Sequence, residues 1–329
     1  MKKLNWAIMS AGSIAGKFAA TASAMKDELN LYAVASRSLE KSRAFAQEHG
    51  IGRYYGSYEE MLSDDAVDAV YVCTPNGMHF ENAKACLEHG KHVLCEKPFT
   101  ENAGNARRLF ELARAKNRFI MEAFWTKFLP STARMFEIIE SGEIGEVSYV
   151  SAGIGIWPDR ARLEGRLDPA LAGGAILDLG PYTIGLPCML FGYSPKKVTS
   201  AVRMSDMGTD EFESVVMEFG GGKIASVFMS IGAVTPDNCA TVYGTKGKLV
   251  MPEFNGGEKI FVTTDAGASY AVDCPFEING FEYEIREAIK CIAAGRIASD
   301  IMKPEHTVAV MEIMDGLRES WGMRYPNEA

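Results

Sequence analysis

Apolar and polar positions follow two different rhythms along the chain. Over residues 1–122, short apolar runs alternate with segments of helical periodicity that have charged outer faces; the runs are LNWAIMS, LYAVASR, AVDAVYVC, KHVLC and RFIMEA. Such runs predict buried strands, and the segments between them predict helices. This alternation predicts an α/β fold with a parallel, doubly wound sheet of the Rossmann type. We assign residues 1–122 to a dinucleotide-binding domain.

From about residue 123 the rhythm changes to period-two runs separated by Gly, Asp and Asn turns. These runs predict a large, mostly antiparallel open sheet, and the GGG at 220–222 predicts a hairpin. Helices are predicted at about 173–191, 280–294 and 304–320, where they would cover one face. We assign 123–329 to a substrate-binding and dimerisation domain. A sheet face rich in apolar residues favours a homodimer or higher homo-oligomer.

Composition and charge narrow the classes of partner. The chain has 329 residues and a formal net charge of -9, which gives no broad attraction to nucleic acid or to an anionic membrane surface. Seven cysteines without a C-x-x-C pair indicate reduced thiols in a cytoplasmic protein and no metal site. Lys2 and Lys3 before an apolar run are also compatible with a signal peptide, but Asn5 interrupts that run, so we prefer a first strand.

The turn after the first strand is a candidate dinucleotide site. Its pattern is Ser-x-Gly-x-x-Ala, with Ser where the dinucleotide fingerprint has its first Gly. An ordinary glycine turn is the alternative. The candidate cofactor-binding residues here are Ser10, Gly12, Ser13, Ile14 and Ala15.

The end of the second strand bears on the choice of cofactor. The sequence there is Ala-Ser36-Arg37-Ser, with Lys41 one helical turn further on, and it lacks the carboxylate that would bind the ribose hydroxyls of NAD. A hydroxyl and two cations suit a 2'-phosphate, so NADP is favoured, with NAD possible. Alternatively, Arg37 and Lys41 only decorate the start of a helix.

The run AVDAVYVC is followed by Thr74, Pro75 and Asn76, and then by His79. Because strand ends line the ligand crevice of such a sheet, we expect Thr74 and Asn76 to meet pyrophosphate or ribose oxygens. For His79, a local hydrogen bond or a role in starting the next helix is favoured over catalysis.

The run KHVLC ends in Glu96, Lys97 and Pro98. At the same crevice, Glu96 can accept a hydrogen bond from a ribose hydroxyl, and Lys97 can direct its ammonium at the nicotinamide edge and the substrate oxygen. The proline fixes the turn and is compatible with a cis peptide bond.

This Glu-Lys-Pro motif resembles that of the glucose-fructose oxidoreductase, inositol dehydrogenase and MocA superfamily. EAFWTKFLP, GGAILDLGPYTIGL and NGFEYEI are similar to the branch of dimeric dihydrodiol dehydrogenases and NADP-dependent D-xylose dehydrogenases. The resemblance implies hydride transfer between NADP and a hydroxyl carbon, and dimerisation through the open sheet. It also implies that Lys97, Asp178 and Tyr182 are catalytic, with either Lys97 or Tyr182 as the terminal proton acceptor. A helix-face aromatic with a satisfied hydroxyl is the alternative for Tyr182.

Trp125, Trp157 and Phe281 are candidates for the substrate pocket, because sugars and diols stack on aromatic rings; Trp125 would also touch the cofactor. Each is otherwise an ordinary core aromatic. Arg160, Arg162 and Arg166 are expected on a glycine-rich loop near Asp178, where one of them can close over the substrate or phosphates.

The expected function is an NADP-dependent dehydrogenase of an aldose such as D-xylose, oxidised at C1, or of a trans-dihydrodiol. The alternatives are another sugar or inositol dehydrogenase, a reductase, a cofactor-binding sensor and an oligomeric scaffold.

Overall fold

The structure, a computed structural model, describes residues 3–157, 160–232 and 238–328. The chain forms two compact units. The first comprises Met1–Trp125 and Glu277–Thr307, and the second comprises Thr126–Phe276 and Val308–Ala329. The division differs from the predicted domains in that 277–307 returns to the first unit, where the Arg286 guanidinium pairs with Glu28 and Ile120 N–H donates to Ile297 O. The hydrophobic periodicity of residues 277–307 predicts their helix but does not indicate which of the two sheets it packs against.

The first unit contains a six-stranded parallel sheet in the order β3-β2-β1-β4-β5-β6. Its strands are β1 (Asn5–Met9), β2 (Asn30–Ala35), β3 (Arg53–Tyr55), β4 (Ala69–Val72), β5 (His92–Glu96) and β6 (Ile120–Ala123). Its helices are α1 (Ser13–Ala24), α2 (Leu39–His49), α3 (Tyr58–Leu62), α4 (His79–Glu88), α5 (Ala103–Lys116) and α9 (Glu282–Ala293), with 3-10 turns at Asn76–Met78 and Trp125–Phe128. The predicted Rossmann fold is confirmed, and the short edge strand β3 is an addition.

Local sequence explains where several of these helices begin. Ser38 and Ser57 precede α2 and α3, and their hydroxyls accept hydrogen bonds from backbone N–H groups three residues ahead. Asn102 does the same for α5. Such side chains satisfy N–H groups that the first turn of a helix leaves without a partner.

The second unit contains an eight-stranded mixed sheet in the order β14-β13-β12-β11-β7-β10-β9-β8. Its strands are β7 (Val147–Ile156), β8 (Lys197–Met204), β9 (Asp210–Glu218), β10 (Ile224–Ile231), β11 (Cys239–Gly244), β12 (Gly247–Pro252), β13 (Lys259–Thr264) and β14 (Ser269–Asp273). Its helices are α6 (Pro130–Glu140), α7 (Arg160–Leu167), α8 (Ala175–Phe191) and α10 (Pro304–Ser320), the last of which begins in the first unit; 3-10 turns lie at Pro169–Leu171, Gly220–Gly222 and Pro326–Glu328.

The predicted hairpin at 220–222 is confirmed, because β9 and β10 pair antiparallel on either side of it. The predicted helices near 173–191, 280–294 and 304–320 are also confirmed, as α8, α9 and α10. Among the described residues of this sheet, β7 and β10 form the only parallel pair. Helix α8 packs on one face, against β7, β9 and β10.

The expected glycine-rich loop around Arg166 is wrong, because residues 160–167 form α7. RARLEGRL contains mainly good helix formers, and they outweigh its single glycine. The side chains of Arg160 and Arg162 lie outside the described residues. Within the described ranges, no helix has both the length and the apolar character needed to cross a membrane.

Candidate active site

The carboxyl ends of the parallel strands lie along one edge of the first unit's sheet. β1 lies between β2 and β4, so the strand order reverses direction there, and ligands of doubly wound sheets bind outside such a switch point. We call this edge the strand-end crevice. It is formed by the segments that follow β1, β2, β4 and β5, where most of the predicted cofactor-binding residues lie.

The turn after β1 adopts an unusual backbone. Ser10 has φ 125°, a left-handed conformation that normally favours glycine, at the position where the fingerprint has its first Gly. Helix α1 then begins after Gly12, and Ala15 is fully buried where the helix packs on the sheet. No side chain among the described residues caps the N–H groups of Ser13 and Ile14. An uncapped helix N-terminus of this kind suits a phosphate.

Arg37 and Lys41 are exposed after β2, as a phosphate site requires, whereas Ser36 is buried. The Ser36 hydroxyl donates to Ser38 O at 2.8 Å and lies 2.8 Å from the Ser42 hydroxyl. Ser36 therefore shapes the turn, while Arg37 and Lys41 present the charge.

The segment after β4 is tied to the turn after β5 by His79. Its Nδ1 lies 2.7 Å from Pro98 O and its Nε2 lies 2.7 Å from Thr74 O. Burial lowers the pKa of His79, opposing the two hydrogen bonds that favour a charged ring. Thr74 is also buried, and its hydroxyl accepts from Asn82 Nδ2 at 2.9 Å, whereas Pro75 is exposed and Asn76 is half-buried. The Lys97–Pro98 peptide bond is cis.

Glu96 is held at the end of β5 by two donors. The Tyr71 hydroxyl makes a short hydrogen bond to Oε1, and the backbone N–H of Lys97 donates to Oε2 at 3.1 Å. Burial raises the pKa of Glu96, and Tyr71, Lys97 and Lys17 oppose that rise. The side chain of Lys97 is half-buried. The crevice thus holds a carboxyl group and an ammonium on adjacent residues.

Glu284, which is not among the residues predicted for the site, is fully buried and interacts electrostatically with Glu96 and Glu122. Burial, and then the charges of Glu96 and Glu122, raise its pKa well above the usual range. Neither of its oxygens has a hydrogen-bond partner in the described part of the chain. A glutamate on the apolar face of α9, three residues after Phe281 and one before Ile285, was the available signal.

The three candidate aromatic residues do not share one environment. Trp125 and Phe281 are neighbours in the first unit, with ring centroids 5.2 Å apart and an interplanar angle of 48°. Phe281 is only 4% exposed, whereas Trp157, at the end of β7 in the second unit, is 66% exposed. Trp125 and Phe281 form one aromatic surface in the first unit, whereas Trp157 belongs to the second unit.

Asp178 and Tyr182 lie one turn apart on α8, so both project from the same side of the helix. The Arg166 guanidinium, on α7, forms a close ion pair with Asp178. Tyr182 is 9% exposed. The acidic and phenolic groups predicted for catalysis thus lie on one helix of the second unit.

Comparison with known proteins places these features in a class. A family model described as an oxidoreductase family with an NAD-binding Rossmann fold matches residues 4–124, and the model of the GFO/IDH/MocA C-terminal domain matches residues 132–250. The protein is thus an oxidoreductase with a nicotinamide-dinucleotide-binding domain. The chain belongs to the GFO/IDH/MocA family.

Relatives of similar length carry a common name. The trans-1,2-dihydrobenzene-1,2-diol dehydrogenases of Mus musculus and Homo sapiens are 34% and 32% identical to this chain over 337 residues, with 99% of each chain covered. Solved structures show the same fold. An aldose-aldose oxidoreductase from Caulobacter crescentus has a TM-score of 0.87 at 23% identity, covering 97% of both chains. A 3-ketoreductase from Actinomadura kijaniata, in complex with NADP and TDP-benzene, has a TM-score of 0.88 at 24% identity, covering 97% of this chain and 98% of its own.

Proposed function

We propose that the protein is an NADP-dependent dehydrogenase that oxidises a hydroxyl carbon of an aldose, such as C1 of D-xylose, or of a trans-dihydrodiol. The observation that carries the proposal is the placement of Lys97, beside the buried Glu96, at the end of β5 in a nicotinamide-dinucleotide-binding domain. The relatives named for dihydrodiol oxidation support the substrate class.

The strand-end crevice suits the cofactor. The uncapped start of α1 offers backbone N–H groups to the pyrophosphate, and Gly12 leaves the backbone accessible there. Arg37 and Lys41 would hold the 2'-phosphate, and Glu96 the nicotinamide ribose. When bound, the nicotinamide ring would supply a hydride acceptor.

We assign the remaining steps to Lys97, Asp178 and Tyr182. Lys97 donates a hydrogen bond to the substrate hydroxyl oxygen, and Tyr182 removes the hydroxyl proton, directly or through Lys97. A phenol has an ordinary pKa of about 10, so a neighbouring cation is needed to favour phenolate at neutral pH. Asp178 orients the proton-transfer groups or accepts from a second substrate hydroxyl. Trp125 and Phe281 supply an apolar wall.

A substrate panel tests the proposal. D-xylose, D-glucose, myo-inositol and a trans-dihydrodiol are assayed with NADP+ and with NAD+ by nicotinamide absorbance. We expect turnover with an aldose or the diol, faster with NADP+. Lys97→Met and Tyr182→Phe should each lower kcat by about 10²- to 10⁴-fold while NADP binding persists. Turnover of myo-inositol alone would favour the inositol dehydrogenase alternative, and NADP binding without turnover would favour a sensor.

The same proposal includes a cytoplasmic homodimer formed through the second unit's sheet. Val216, Ile224, Tyr243 and Phe261 are between 36% and 43% exposed on strands β9 to β13. Strand pairing also aligns a row without a charged residue across the sheet: Thr199, Val216, Ser226, Ser151, Thr241, Val250 and Phe261. Sedimentation should show a dimer, and Phe261→Glu should weaken it; a wild-type monomer at assay concentrations would reject it.

A further inference from the structure

Two residues that are distant in sequence fix the N-terminus of α8. Asp210 Oδ2, at the start of β9, accepts from the Ile176 N–H at 2.5 Å in the first turn of the helix. Tyr325, near the end of the chain, donates its hydroxyl to Gly173 O at 2.8 Å. Asp210 is fully buried and Tyr325 is 3% exposed. The helix that carries Asp178 and Tyr182 is therefore anchored at its origin by buried polar contacts.

Two glycines allow this anchoring. Gly174 has φ 118°, and a Cβ atom there would lie 2.2 Å from Asp210 Oδ1. A Cβ atom on Gly173 would lie 2.4 Å from Arg166 O, which itself accepts from the Gly174 N–H at 2.8 Å. The backbone thus approaches the carboxylate more closely than any other residue type permits.

The negative charge of the Asp210 carboxylate also suits the N-terminus of α8. Burial raises the pKa of Asp210 to about 6, so its carboxyl remains ionised at neutral pH. Glu213 lies beside it, and burial, followed by the Asp210 charge, raises the pKa of Glu213 well above its usual range. A helix N-terminus stabilises negative charge on the Asp210 carboxylate that accepts from its first turn.

The anchor is close to the groups it would orient. Asp178 and Tyr182 follow Ile176 by two and six residues on one helix, and an α-helix rises about 1.5 Å per residue. A tilt of the first turn moves both side chains, and small misplacements of catalytic groups are costly. We propose that Asp210 and Tyr325 are positioning residues of the active site, an inference that rests on the proposed catalytic function of Asp178 and Tyr182.

The test compares kcat, KM and thermal unfolding in full-length variants, with D-xylose, D-glucose and a trans-dihydrodiol as substrates and NADP+ as cofactor. We expect Asp210→Ala to lower kcat by about 10- to 100-fold and Tyr325→Phe by about 3- to 10-fold, while KM for NADP+ changes less than about twofold. Asp210→Asn retains an oxygen acceptor for the Ile176 N–H and should recover part of the loss. Asp273→Asn and Tyr270→Phe alter exposed side chains of the same unit and serve as matched controls.

The outcomes separate the two proposals. Lack of turnover by the wild type on every substrate rejects the proposed function and the positioning role with it. Turnover that Tyr182→Phe abolishes, but that Tyr325→Phe and Asp210→Asn leave at wild-type kcat, rejects only the positioning role. A lowered melting temperature with unchanged kcat likewise assigns both residues to stability alone. Tyr325→Phe removes a single oxygen atom, so its kcat decides the matter if Asp210→Ala does not fold.

Discussion

Helices α1 and α8 both begin after a glycine, but their N-termini are used in opposite ways. No side chain among the described residues caps the first N–H groups of α1, whereas Asp210 fills the start of α8. Gly12 has φ -89°, an ordinary conformation, while Gly174 has φ 118°. Because a helix N-terminus attracts anions, the first is suited to a ligand phosphate and the second is already neutralised by the protein. Two similar local sequences thus have different tasks.

The largest expected effect is a difference in unfolding free energy between alanine substitutions of Gly174 and Gly12. Gly174→Ala should lower the free energy of unfolding by about 3 kcal/mol, because alanine is strained at this φ and its Cβ would collide with Asp210. Gly12→Ala places its Cβ 3.7 Å from Ser10 Oγ, an ordinary contact, and should change stability by less than about 1 kcal/mol. Urea unfolding measures both. Equal losses would contradict the comparison.

The second prediction concerns the buried carboxyl groups of the two units. Burial raises the pKa of Glu213 and of Glu284, so both side chains keep a proton in the folded protein. In the unfolded chain a glutamate has a pKa of about 4.3 and loses that proton above it. Stability therefore falls as pH rises. Each group should contribute about 1.4 kcal/mol per pH unit at pH values that lie above its unfolded pKa and below its raised folded pKa.

Glu213→Gln and Glu284→Gln should each flatten the dependence of unfolding free energy on pH by one proton. Glu143→Gln, which alters an exposed carboxyl group, should leave the slope unchanged. A slope that neither buried substitution alters would show that both groups are ionised in the folded protein.

The third prediction tests the proposed 2'-phosphate site after β2. Arg37→Ala should weaken NADP+ binding by about 1 to 3 kcal/mol and leave NAD+ binding nearly unchanged, because only NADP+ carries the 2'-phosphate. Arg43→Ala removes an exposed cation from α2, the helix that begins two residues after Arg37, and is the control. Calorimetric titration measures both affinities. An equal loss of affinity for NADP+ and NAD+ would show that Arg37 does not bind the 2'-phosphate.

The smallest expected effect is the loss of stability on removing the Ser57 cap of α3, which precedes that helix directly in sequence. Ser57→Ala removes the acceptor for the Glu60 N–H at the start of α3 and should cost about 1 kcal/mol of stability, with kcat unchanged. Ser57→Thr keeps the hydroxyl and should recover most of that loss. A change in kcat would indicate that local caps, and not only the distant anchor on α8, influence the active site.

Much of the crevice was readable from the chain because its residues follow strands directly. Lys97 comes immediately after β5, and Arg37 lies two residues beyond β2. Once the sheet is predicted to be parallel, residues that directly follow its strands are expected at the edge formed by the carboxyl ends of the strands. The roles assigned to these residues stay predictions. Glu213 was overlooked even though it alternates with Val215 and Met217 on the buried face of β9, where a charged residue is out of place.

The sequence by itself determined the strand and helix alternation, the helices near 173–191 and 304–320 and the position of Lys97, because these depend on neighbours a few residues away. Only the tertiary structure decided that 277–307 belongs to the first unit and that Asp210 and Tyr325 meet the start of α8. These contacts join residues 34 and 152 positions apart. Contacts between residues so far apart in sequence depend on how the helices and strands pack together. The hydrophobic periodicity of a short segment does not indicate such contacts.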